Sequence, residues 1–120
     1  MHRKYSLSMK AHLLLTVLMV SALPVKADDT RFLNRSTVVG ALAGTDCFVR
    51  KGKMTEEEAK EVMNYMLSVY PELNAAYSWA LSSDKASKAV QVILPYLNSD
   101  CNKMSLSEDE AQRLIGPYLN

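Results

Sequence analysis

Histidine is scarce in this 120-residue chain: His2 and His12 are the only two, both near the start. Cysteine is limited to Cys47 and Cys101, and tryptophan to Trp79. Neither charge dominates, with 14 Lys and Arg against 13 Asp and Glu. The most apolar stretch, AHLLLTVLMVSAL (11–23), has 13 residues, short of the roughly 20 that a membrane-spanning helix needs. No segment alternates apolar and polar residues for long enough to argue for a strand. Each scarcity removes a class of function or fold.

The apolar stretch follows Arg3, Lys4 and Lys10 and precedes PVKA (24–27), where Val25 and Ala27 are small enough for signal peptidase. This order predicts a signal peptide over 1–27, cleaved before Asp28, and a secreted or periplasmic product with no stable membrane span after processing. No cysteine follows the apolar stretch, so a lipid anchor has no attachment point. Cleavage would leave 93 residues, one small domain. It would remove four basic residues (Arg3, Lys4, Lys10, Lys26) and no acidic one, leaving ten against 13, a net charge of −3. A mildly acidic chain lacks the clustered Lys and Arg on which nucleic-acid binding rests, and RKGK (50–53) is too short to supply them.

Both histidines leave with the signal, so Ser-His-Asp and Cys-His catalysis and the usual zinc ligand sets are excluded. Paired carboxylates could cleave glycosides, but Glu56–Glu58 and Glu108–Glu110 fall at expected helix starts. Calcium at Asp46, Glu56 or Asp100 would lack the regular oxygen-ligand spacing of an EF-hand loop. The expectation is a non-enzymatic protein with no cofactor and no metal.

Cys47 and Cys101 remain after processing, and in an exported chain an even pair reads as a disulfide. They lie 54 positions apart, whereas catalytic dithiols usually sit close together with a lowered pKa. Closing so long a loop stabilises a fold by about 4 kcal/mol on the chain-entropy argument.

The pattern predicts an all-α domain of four to five short helices over 36–120, preceded by a flexible segment over 28–35. Ser36 caps a first helix, in which Gly40 and Gly44 would let a neighbouring backbone approach. Gly52 ends it. Thr55 and Glu58 form a capping box for a second helix, with Val62, Met63, Met66 and Val69 at helical spacing. Pro71 opens a short third helix through Leu81. A fourth carries Ala86, Ala89, Val90, Ile93 and Leu97, with a kink or early end at Pro95. Ser107 and Glu110 form a second capping box, and Gly116-Pro117 terminates the last helix.

An internal echo accompanies these elements. VVGALAGTDC (38–47) aligns with VILPYLNSDC (92–101), and MTEEEAKEVMNYML (54–67) with LSEDEAQRLIGPYL (106–119). The shared unit is helix, Asp-Cys, loop, capped helix. A duplication would place two hairpins about a pseudo-twofold axis, with the cysteines in equivalent places joined across it; chance alignment of two common capping boxes is the alternative. Among the aromatic residues, Trp79 and Tyr77 are the candidates for contact with an extracytoplasmic protein partner, since both types suit interfaces. Core packing is the competing role.

GTDCFVRKGKMTEEEAKEVM (44–63) resembles small exported cyanobacterial helical proteins of unknown function, with their Cys-loop-helix motif. That resemblance implies export and a helical fold. CFVRKGKMTEEEAKEVMNYMLSVYPEL (47–73) is similar to periplasmic amidase-immunity proteins, which neutralise secreted peptidoglycan amidases. Tyr70 stands where that family would have histidine, and Cys101 lies further downstream. The chain therefore reads as an exported binding module, with an immunity or inhibitor protein, or a structural envelope protein, as alternatives.

Overall fold

The computed structural model describes residues 30–120; the expected signal over 1–27 lies outside them. Five α-helices and three 3-10 turns make up the fold, and among the described residues no strand forms. The helices are α1 (Thr30–Arg50), α2 (Glu56–Val69), α3 (Asn74–Ser82), α4 (Asp84–Ile93) and α5 (Glu108–Ile115). The all-α class expected from the sequence is therefore the class observed.

α1 is the central element, 21 residues and about 31 Å long. Its sequence is a poor helix former, with Thr37, Val38, Val39, Gly40, Gly44 and Thr45 in its middle. Tertiary packing compensates. Between Ser36 and Phe48 it is buried on several sides, including Val38, Val39, Ala41, Ala43 and Cys47, and it packs against α2, α3 and α4. It supplies residues to each of the three apolar clusters among the described residues. Cys47 and Phe48 meet Met54, Val62 and Cys101. Val38 and Ala41 meet Met63, Met66, Leu73 and Ala76. Val39 and Ala43 meet Ala89, Ile93, Ile115 and Leu119. The buried Thr45 hydroxyl donates to the carbonyls of Ala41 and Leu42, at 3.2 and 3.0 Å.

The start of α1 corrects one expectation. Residues 30–35 are helical where a flexible segment over 28–35 was expected, and Ser36 is a buried mid-helix residue, not a cap. Distant contacts hold this extra turn. Phe32 packs against the third cluster, Asn34 Nδ2 donates to the Glu72 carbonyl at 3.3 Å, and Arg35 Nη1 donates to the Leu119 carbonyl at 2.7 Å.

The end of α1 is a Schellman turn. Lys53 N–H donates to the Phe48 carbonyl at 2.9 Å and Gly52 N–H to that of Val49 at 3.0 Å, with Gly52 at φ +69°. α2 then opens on its capping box. Thr55 Oγ1 accepts from Glu58 N–H, and Glu58 Oε1 accepts from Thr55 N–H, both at 3.1 Å. After α2, Pro71 begins a 3-10 turn (Pro71–Leu73) that runs into α3.

Proline also decides where α4 stops. The helix ends at Ile93, before the Leu97 expected for it, and a 3-10 turn, Leu94–Tyr96, holds Pro95. Proline cannot donate to the Gln91 carbonyl, and its ring crowds that group. The chain then closes a compact loop in which Leu97 and Met104 form an isolated antiparallel bridge. Asn98 organises the loop: its N–H donates to the Lys103 carbonyl at 2.9 Å, and its Oδ1 accepts from the N–H groups of Asn102 and Lys103 at 3.0 and 3.3 Å. Ser107 and Glu110 cap α5 reciprocally.

Candidate functional site

Cys47 and Cys101 form a disulfide with Cα atoms 5.8 Å apart. Both are buried, Cys101 completely. The bond ties the last turn of α1 to the loop between α4 and α5. A second tie runs beside it, from Lys53 Nζ to Asp100 Oδ1 at 3.4 Å and the Ser99 carbonyl at 3.5 Å. That exposed ion pair contributes at most a fraction of a kcal/mol, roughly, so the covalent bond dominates.

The two cysteines do not occupy equivalent places. Cys47 lies within α1, whereas Cys101 lies in a loop with φ 60°, in the left-handed region. The difference follows from Pro95: the segment aligned with the end of α1 leaves the helix at Ile93. The echo survives in the two capping boxes, which match in geometry. These explain the paired acidic clusters, because Glu58 and Glu110 are engaged as capping groups and carboxylates favour a helix start. The hydrogen bonds from Ser107, backbone first and hydroxyl second, hold the Glu110 carboxyl below its ordinary range.

The carboxylates weighed for calcium are dispersed. Asp46 pairs with Arg50 at 3.2 Å and Asp100 with Lys53. Among the described residues no three His, Cys, Asp or Glu side chains are grouped to hold a metal ion.

Trp79 and Tyr77, the expected partner contacts, are half-buried. Tyr77 packs against the second cluster and Trp79 against the third. The Arg35 guanidinium sits over the indole, 4.4 Å from its centroid, a cation–π arrangement. Burial, with the nearby Arg31 charge second, lowers the Arg35 pKa from its ordinary value. Both aromatic residues are thus partly engaged within the fold, and Trp79 is further covered by Arg35 from the early part of α1. Among the described residues the most exposed large apolar residue is Leu81, at 69%. It edges an open groove of about 470 Å³, whose apolar residues include Leu42, Val49, Ala59, Ala80 and Val90.

A more enclosed cavity, about 290 Å³, lies between α1, the end of α4, α5 and the loop before α5. Gly40 and Ser36 line it from α1, Ile93 from α4, and Ala111, Gln112 and Ile115 from α5. Asn102, Lys103, Met104 and Leu106 close it from the loop. That wall begins one residue after Cys101, so the disulfide anchors the cavity's loop side. Ser36, expected as a cap, and Gly40, expected to admit a neighbouring backbone, both line it. Sequence periodicity marks Ile93, Ala111 and Ile115 as core positions; nothing local shows that their packing leaves space.

No protein-family model matches the chain, and no curated protein and no solved structure matches it. Among the described residues no helix is long and apolar enough to cross a membrane.

Proposed function

We propose that this chain is a secreted or periplasmic, disulfide-pinned helical binding module without catalytic machinery, which holds its ligand in the cavity between α1, α4, α5 and the Asn102–Ser107 loop. One observation carries the reading: a partly enclosed, largely apolar space lined by a few polar groups, the usual form of a small-ligand site. The Cys47–Cys101 bond supports an oxidising compartment, and its attachment beside the cavity wall supports a preformed site. The test is native mass spectrometry of protein isolated from the extracytoplasmic fraction. A co-purifying small molecule, lost in Ala111→Phe, is expected; a ligand-free wild type that captures nothing from that fraction contradicts the reading.

A second reading is favoured by Leu81, exposed beside its apolar groove. An exposed apolar edge of this kind suits contact with a protein. In that case the chain acts as an immunity or inhibitor protein against a secreted cell-wall hydrolase, or as a structural envelope protein. Partner capture abolished by Leu81→Glu and unaffected by Ala111→Phe would support it over the cavity.

A further inference from the structure

We infer that the cavity takes a neutral amphiphile of about ten non-hydrogen atoms, with an unbranched or lightly branched apolar body and one hydrogen-bonding head; this rests on the cavity-binding reading above. The size follows from the volume. About 290 Å³ is roughly ten times the share of one water in the liquid.

The apolar body follows from the surface it would meet. Ile93 and Ile115, both almost wholly buried, line the cavity with Ala111, Leu106 and Met104. Gly40 adds a wall without a side chain. Met104 is unbranched and polarizable, so it can adjust to the outline of a chain. These groups offer contact and no hydrogen bonds, so a polar body would lose its hydration without replacement.

The neutral head follows from the polar residues. Ser36, Asn102, Ser107 and Gln112 bring two hydroxyls and two amides, all uncharged. Ser107 is already engaged in its cap, its Oγ accepting from Glu110 N–H and its hydroxyl bonded to the Glu110 carboxyl, so the free donors come from the other three. Asn102 Oδ1 already accepts from Asn98 Nδ2, which leaves its own amide N–H groups as donors. Ser36 is buried, so its hydroxyl is the polar group least supplied by water. The charged lining residues are one Lys103 and one Glu108. They present opposite signs, so neither an anionic nor a cationic head finds a net complementary field, and either would lose hydration on entry. A hydroxyl, amide or ester head meets groups that can both donate and accept.

The probe is n-octanol, titrated into the purified full chain by calorimetry, with octylamine and octanoate as charged counterparts of the same length. Saturable one-to-one binding of octanol is expected, with both charged analogues weaker by about tenfold or more. Ser36→Ala should weaken octanol by about fivefold, the worth of a neutral hydrogen bond. Two filling variants, Ala111→Phe and Leu106→Trp, should each remove binding, and their far-ultraviolet circular dichroism identifies either one that fails to fold. Octylamine or octanoate binding as tightly as octanol, and lost in the filled variants, would overturn the neutral head while leaving the cavity as a site. Absence of saturable binding by all three would overturn both readings. Octanol binding undiminished in folded filling variants would place the alcohol elsewhere and overturn the assignment.

Discussion

Replacing Cys47 and Cys101 together by alanine removes one covalent bond and two small buried groups, and its consequence can be worked from the fold. The bond closes a loop spanning 54 positions, for which the chain-entropy argument gives about 4 kcal/mol. Native proteins are stable by only about 5–15 kcal/mol, so the double variant should retain a small margin. The folded state itself changes little, because Phe48, Met54 and Val62 still pack together. The larger change is in the denatured chain, which expands when the loop opens. Equilibrium urea unfolding should therefore show a lower midpoint together with a larger m-value, since more surface is exposed on unfolding. Hydrogen exchange adds a local readout. Amides of Asn102 and Lys103, held by Asn98 Oδ1, should exchange faster in the variant than in the wild type by a larger factor than those in the middle of α2. A stability loss below about 1 kcal/mol with an unchanged m-value would refute the reasoning, because the crosslink would then constrain little.

Gly52→Ala should destabilise by about 1–2 kcal/mol in urea unfolding, because φ +69° disfavours an L side chain although no atom lies within 4 Å to obstruct it; a neutral result would deny the Schellman turn its role. Arg35→Leu should lower stability by about 2 kcal/mol, combining the charged hydrogen bond to the Leu119 carbonyl with the stacking on Trp79. Trp79 is the one tryptophan, so its emission should shift in the folded variant; identical emission and stability would contradict the packing. Glu110 gives a pH signature. Its folded pKa is depressed by the Ser107 hydrogen bonds, so its stabilisation is present above the ordinary carboxylate range and is lost as pH falls through the folded value. The urea midpoints of wild type and Glu110→Gln should accordingly differ near neutral pH and converge in acid, and a gap independent of pH would rule out that linkage.

How much the sequence reveals depends on how local the cause is. Thr55 with Glu58 and Ser107 with Glu110 are readable because each capping box is complete within four residues. Pro95 marks a kink or early end for α4 by the same kind of argument, one ring against one carbonyl. The Cys47–Cys101 pairing needs only the count and the compartment. By contrast, the first turn of α1 is held by Glu72, Trp79 and Leu119, and no pattern near Phe32 or Arg35 encodes those partners. Trp79 is hard to place for the same reason, since its cation arrives from Arg35, 44 positions earlier in the chain. The cavity is the least legible feature. Ile93 and Ile115 read as core from helical spacing, but whether space remains between them depends on how the Asn102–Ser107 loop lies across α1 and α5. That path is set by Asn98, the Leu97–Met104 bridge and the disulfide, a convergence of three constraints that periodicity does not register.

The cavity's role as a binding site is tested most directly by amide chemical-shift mapping of the isotopically labelled chain during titration with n-octanol. The largest changes should fall on Gly40, Met104, Ala111 and Gln112, while Ala59 and Leu81 at the open groove stay still. Shifts centred on Ala59 and Leu81, or no saturable shift at any residue, would contradict the account.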